Sequence, residues 1–142
     1  MDLREIAGIY GLERCIGCRS CTKNCPSARH GGIVPDETIK SVREGTYDGD
    51  PWKCLQCHRC SAACPKKIDV ASVIIRLRRI QTEAGNVPER FRRVGKVYSE
   101  TGGTMNVSPS ADRNRGILGL EPLCGRTDIP KKAAKMGGRE SP

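Results

Sequence analysis

The chain is poor in the materials of a conventional core and of a conventional active site. One Trp, one Phe and three Tyr are its only aromatic residues, and two His are present among 142 residues. With 37% hydrophobic and 4% aromatic content, a domain of this length can build only a thin apolar core. No G-x-G-x-x-G or G-x4-G-K-[ST] run occurs, which leaves out the common dinucleotide and phosphate loops, and no nucleophile is paired with a base. Substrate chemistry by the chain alone is therefore not expected. No stretch approaches the roughly 18 apolar residues needed to span a bilayer, the longest apolar pattern being broken by Arg76, Arg78 and Arg79. The opening Met1-Asp2-Leu3-Arg4-Glu5 lacks the basic start and apolar stretch of a secretory signal, so a soluble, cytoplasmic protein is expected.

Cysteine is the exception, with nine in the chain. In a reducing compartment, cysteines at tight and repeated spacing are metal ligands before they are disulfides. Thiolate-held metal also contributes folding free energy that a thin core cannot supply. Eight of the nine form one internal repeat: Cys15-x2-Cys18-x2-Cys21-x3-Cys25-Pro26 is matched by Cys54-x2-Cys57-x2-Cys60-x3-Cys64-Pro65. Cys124 has no partner at metal-binding spacing and is read as a bystander.

In a C-x2-C-x2-C run the short spacers wrap backbone around one 4Fe-4S cube and present three thiolates to three irons, so a fourth ligand must come from elsewhere. In two-cluster ferredoxins the fourth cysteine of each run, the one before proline, ligates the other cluster. Applied here, one cluster takes Cys15, Cys18, Cys21 and Cys64, and the other takes Cys54, Cys57, Cys60 and Cys25. Two 4Fe-4S clusters so placed would exchange single electrons.

Two rival readings compete with this one. Structural zinc also suits C-x2-C pairs, but its sites seldom use a third cysteine two residues on, duplicated and closed by proline. Cys54-Leu55-Gln56-Cys57-His58 satisfies the c-type haem motif C-x-x-C-H. Haem would strand Cys60 and Cys64, and Arg19 stands where the first run would need its histidine. His58 is then a surface residue or one that tunes potential by hydrogen bonding, and His30 has no special context. Trp52, Tyr10 and Tyr47 lie near the runs, where core packing is the expected role and shielding of the clusters the alternative.

Around the runs the pattern is helical. Leu3, Ile6, Ala7 and Tyr10 predict a short first helix. A second is expected from Asp36 to Glu44, with Asp36 as N-cap, Ile39 and Val42 inward, and Gly45 as stop. Behind Asp69 as N-cap, Val70, Val73, Ile74, Leu77, Ile80 and Ala84 follow helical spacing until Gly85. A further helix is expected from near Pro88, carrying Phe91, Val94, Val97 and Tyr98 inward to Gly102-Gly103. The expected fold is mainly α, a helical ferredoxin domain over residues 1–102. Residues 103–142 read as an irregular tail, disordered or docked on a partner through Ile117-Leu118-Gly119-Leu120.

The formal charge is +9, with the basic excess between Arg76 and Lys96 and an acidic stretch from Asp36 to Asp50. Two oxidised clusters with their thiolates, each about −2, would bring the sum to roughly +5. Nucleic-acid binding would need aromatics interleaved with the arginines, and only Phe91 and Tyr98 lie near them, so no nucleic-acid partner is expected.

With both runs, the intervening residues 26–53, Trp52 ahead of the second run and the amphipathic helix after Cys64-Pro65, the sequence resembles the C subunit of heterodisulfide reductase over residues 3–123. The shared element is the alpha-helical ferredoxin domain. It recurs in iron-sulfur proteins of succinate, fumarate, glycolate and anaerobic glycerol-3-phosphate oxidoreductases, which usually fuse it to a plant-type ferredoxin domain or to cysteine-rich CCG modules. This chain has no adjacent cysteine pair. The resemblance implies a non-catalytic electron-transfer component of a hetero-oligomer. Its partners would be a flavin-containing, iron-sulfur subunit (A-like) and a catalytic subunit (B-like) whose noncubane clusters reduce the disulfide of coenzymes M and B. A homologous complex for another thiol chemistry, one of the other oxidoreductases just named, and a free-standing two-cluster ferredoxin are the alternatives.

Overall fold

A computed structural model of the chain describes residues 2–104 and 108–123. Among these the regular structure is entirely helical, without a strand. The chain divides into two compact units, the first ending at Asn86 and the second starting at Val87.

In the first unit, α1 spans Leu3–Ile9, and a 3-10 turn at Leu12–Arg14 leads into the first cysteine run. The run contains the four-residue helix α2, Ser20–Lys23, and ends on another, α3, Pro26–Arg29. Next comes α4, Pro35–Glu44. The second half repeats the scheme: a 3-10 turn at Pro51–Lys53, the short helix α5 at Arg59–Ala62, and the long helix α6 at Val70–Glu83. Each run's short helix packs on the long helix that follows it, α2 on α4 and α5 on α6, and α2 and α5 pack on each other.

The apolar positions of α1, α4 and α6 meet in one core in which Ile6, Leu12, Ile39, Val42, Ile68, Val73 and Ile74 are buried. This is a small set, in keeping with the composition. Tyr10 and Tyr47 pack on its edge together with Cys15, Cys21, Cys54 and Cys64, so core and cysteine sites share a wall.

Helix ends follow the sequence closely, with one displaced cap. Asp69 caps α6 through its side chain, which accepts from the Ser72 N–H, as expected of an N-cap carboxylate. The cap of α4 is Val34, with Pro35 at the first helical position; Asp36 lies inside the first turn and turns its carboxylate elsewhere. Gly45, at φ 75°, closes α4 in the left-handed region that glycine enters at least cost.

The second unit contains α7, Glu89–Thr101, and α8, Pro109–Ile117. Phe91, Val94, Val97 and Tyr98 do share a face of α7, but none is buried. The helix forms as its spacing predicts, but Phe91, Val97 and Tyr98 are only half-buried and Val94 is exposed. One regular element, α8, stands in the stretch read as tail. Ser108 caps it by accepting from the Ala111 N–H, and Pro109 opens it. Ile117, Leu118 and Leu120 at its end are exposed. Cys124 lies outside the described residues. No described helix is long and apolar enough to cross a membrane.

Candidate metal centres

Between their first and third cysteines both runs pass twice through the left-handed region. Gly17 and Arg19 stand at φ 68° and 61°, and Gln56 and His58 at φ 54° and 59°. These turns bend the backbone so that the first three cysteines of each run line one pocket. Only Gly17 adopts the conformation freely; the other three residues each carry a strain of about 1–2 kcal/mol.

Two side chains then anchor each curl to the long helix behind it. The Thr22 hydroxyl donates to Asp36 Oδ1 and accepts from the Asp36 N–H at 3.0 Å. In the second half the Ser61 hydroxyl donates to Asp69 Oδ1 at 2.8 Å and accepts from the Ala71 N–H at 3.0 Å. A hydroxyl residue directly after the third cysteine thus grips an aspartate in each helix's opening turn. Arginines complete the attachment. Arg43 of α4 reaches the Cys15 carbonyl at 3.5 Å, and Arg78 of α6 donates to the Pro51 carbonyl at 3.0 Å and to the Cys54 carbonyl. Arg78 also lies over the Trp52 ring, 5.3 Å from its centroid.

The eight cysteines fall into two pockets. One is lined by Cys15, Cys18, Cys21 and Cys64, with Ile16, Ile39, Ile68 and Asp36 among its walls. The other is lined by Cys25, Cys54, Cys57 and Cys60, with Leu55, Ile33 and Ile74. Each pocket therefore contains three cysteines of one run and the fourth of the other. All eight are free thiols. Among the described residues no three His, Cys, Asp or Glu side chains are gathered tightly enough for a single metal ion. A cube asks for a looser arrangement, because each thiolate binds a different iron, whereas zinc draws its thiolates to about 2.3 Å from one point. A more open cavity of about 320 Å³, walled by Gly32, Glu37, Tyr47, Asp50 and Lys53, contains no cysteine.

The sulfurs are already hydrogen-bonded by main chain. Cys54 Sγ accepts from the Gln56 N–H at 3.3 Å, Cys25 Sγ from the Ala28 N–H at 3.4 Å, and Cys64 Sγ from the Ile68 N–H at 3.4 Å. Such bonds stabilise negative charge on sulfur and so fit a thiolate-held cluster. Burial pushes the Cys21 and Cys54 thiols up and the Cys60 thiol to about 11, while the Ser20 hydroxyl holds exposed Cys18 down. Iron binding must therefore expel protons from the inner thiols.

His58 is exposed on the rim of the second pocket, and His30 lines neither. Tyr10 and Tyr47 serve the core. Sequence reasoning missed the Thr22–Asp36 and Ser61–Asp69 pairs. Their signal was present in the repeat, since a hydroxyl residue follows the third cysteine in both runs, but the partner lies well downstream and only folding brings it close.

A family model for the 4Fe-4S dicluster domain matches residues 14–68, which include both runs. The chain is 30% identical over 128 residues to the C subunit of the ferredoxin:CoB-CoM heterodisulfide reductase of Methanosarcina mazei, covering 86% of this chain and 80% of the relative. The chain belongs to the family of heterodisulfide reductase C subunits. The C subunit of the ferredoxin/F(420)H(2)-dependent CoB-CoM heterodisulfide reductase of Methanosarcina acetivorans is 31% identical with the same coverage. The iron-sulfur C 2 subunit of the CoB-CoM heterodisulfide reductase of Methanocaldococcus jannaschii is 27% identical over 79% of this chain and 62% of its own length. The likeness to this family runs well beyond the dicluster domain, so it cannot rest on cysteine spacing alone.

Proposed function

We propose that the chain is the electron-relaying subunit of a CoB-CoM heterodisulfide reductase complex in a reducing cytoplasm. It would hold one 4Fe-4S cluster on Cys15, Cys18, Cys21 and Cys64 and a second on Cys54, Cys57, Cys60 and Cys25. The observation that carries this reading is the composition of the two pockets, each with three cysteines of one run and the fourth of the other. Bound there, each cluster takes up and gives up one electron.

The residues present serve that task by holding rather than reacting. Thiolates fix the sites, main-chain N–H groups stabilise charge on three of the sulfurs, and α2 against α5 keeps the two sites adjacent. Cys18 and Cys57, the second cysteine of each run, are exposed, so each site reaches the surface through one ligand. One site would then take the electron in and the other pass it on. A flavin-containing, iron-sulfur partner of the A-like kind would donate, and a noncubane-cluster partner of the B-like kind would accept. Two single-electron passages are needed for each disulfide reduced.

Anaerobic purification of the native protein, with iron and sulfide analysis and identification of every co-purifying chain, tests the proposal. About eight irons together with flavin and noncubane-cluster partners are expected. Eight irons in a lone protein would mean a free-standing ferredoxin, and zinc without sulfide would overturn the reading.

A further inference from the structure

The two halves of the first unit attach their cysteine loops with the same pair of charged residues, but they place the pair differently. Each long helix supplies an aspartate in its opening turn and an arginine to the carbonyl of its run's first cysteine. In the first half the aspartate is the inner member. Asp36 lines the pocket of Cys15, Cys18, Cys21 and Cys64, with a side chain 15% exposed, while Arg43 reaches the Cys15 carbonyl only at 3.5 Å. In the second half the arginine is the better-buried member, although it too lines neither pocket. Arg78 makes two bonds, to Pro51 and Cys54, against the Trp52 ring, while Asp69 is exposed and lines neither pocket.

We propose that this exchange of placement sets the two cluster potentials apart, Asp36 holding the first site low and Arg78 holding the second high, so that a single added electron rests at the second site. The inference builds on the cluster assignment above.

Reduction adds one negative charge to a site. A nearby half-buried carboxylate opposes that charge and a nearby half-buried guanidinium favours it, each more strongly than the same group in water. Other charges lining the pockets are exposed, and Arg43, half-buried like Arg78, reaches its cysteine carbonyl through one long bond only. Arg19, paired to Asp36 at 3.0 Å, is 67% exposed, and Lys66 and His58 are exposed too, so water and salt screen all three. Main-chain hydrogen bonding to sulfur differs by one N–H, in the same sense as the proposal. Cys25 and Cys54 each receive one main-chain N–H; in the other set Cys64 receives one, and the Ser20 hydroxyl lies 3.4 Å from Cys18 Sγ. Burial of Cys25 and Cys60 resists charge at the second site, and the same dryness strengthens Arg78.

The test is an anaerobic redox titration of the purified holoprotein followed by electron paramagnetic resonance, in wild type, Asp36→Asn, Arg78→Gln and Arg78→Lys. Asp36→Asn should raise the lower potential and leave the higher one in place. Arg78→Gln should lower the higher potential and leave the lower one in place. Each change should alter the electron's distribution roughly tenfold, about 59 mV for a one-electron centre. Arg78→Lys, which keeps the charge but not the fork, should stay near wild type. A shift of the wrong potential, no shift, or an Arg78→Lys protein as altered as Arg78→Gln overturns the proposal while leaving the two-cluster reading intact. A holoprotein without two 4Fe-4S signals overturns both.

Discussion

The Ser61 hydroxyl donates to the Asp69 carboxylate at 2.8 Å, tying the residue after Cys60 to the cap of α6. Asp69 also accepts from the Ser72 hydroxyl at 2.6 Å and from its N–H at 3.2 Å, so one carboxylate starts a helix and fixes a cysteine loop. Replacing it with alanine removes both attachments. Asp69→Ala should cost about 1–2 kcal/mol in anaerobic denaturant unfolding, in the range of a lost N-cap, and Asp69→Asn less. The pH dependence has a definite sign. Hydrogen bonds from Ser72 and Ser61 hold the carboxyl below its ordinary 3.8. The stabilisation is thus complete above that value and is lost as pH falls through the lower folded-state value. Equal unfolding midpoints for wild type and Asp69→Ala at neutral pH would show that the cap carries no weight.

The crossed pockets predict where damage appears. Cys25 belongs to the first run but shares a pocket with Cys54, Cys57 and Cys60, and Cys64 shares one with Cys15, Cys18 and Cys21. Cys25→Ser should therefore perturb the cluster of the second run, and Cys64→Ser that of the first. Iron analysis with electron paramagnetic resonance of each variant separates the cases. Loss confined to the variant's own run would refute the crossed assignment.

Periodicity and spacing made much of this legible. The repeat named eight ligand candidates, which the two pockets collect, and the apolar spacing placed α1, α4, α6 and α7, the last three ahead of a glycine. Both depend on residues close in sequence. What escaped depends on long-range placement. Asp36 has the composition of a cap, yet Pro35 is better suited to the first helical position because it has no N–H to leave unpaired, and Asp36 is left to hold Thr22 and Arg19. The face of α7 shows the converse limit. Helical spacing of Phe91, Val94 and Tyr98 reports that a stripe exists, not what covers it.

Gly32 is a glycine for lack of room. A Cβ there would lie 2.1 Å from Ser27 Oγ and 2.9 Å from the Ser27 carbonyl oxygen. Ser27 is buried and bridges the halves, donating to the Lys53 carbonyl at 2.7 Å and accepting from the Ile33 N–H at 3.1 Å. Gly32→Ala should destabilise by about 1–3 kcal/mol through overpacking. Ser27→Ala should cost a similar amount, about 1–3 kcal/mol, by leaving two main-chain groups unpaired. Because Ser27→Ala removes the oxygen that the methyl group introduced by Gly32→Ala would strike, the double variant should lose less than the sum of the single ones, a coupling that unfolding of all four proteins measures. Strict additivity would mean that the two positions do not meet.

Gln56 is where the second run departs from the first at a cost. It occupies the left-handed conformation at φ 54°, the place that Gly17 takes in the other half, and both polar atoms of its side-chain amide are buried without a hydrogen-bond partner among the described residues. Glycine at this position would relieve about 1–2 kcal/mol of backbone strain and remove the unsatisfied amide, against an entropic cost of about 0.5–1 kcal/mol in the unfolded chain. Gln56→Gly should then stabilise the protein by about 1 kcal/mol, seen as a higher denaturant midpoint with unchanged slope. Stabilisation with both clusters and their potentials intact would make Gln56 a tolerated strain. A stabilised variant whose second-run cluster shifts in potential would instead assign the strained residue a part in tuning that site.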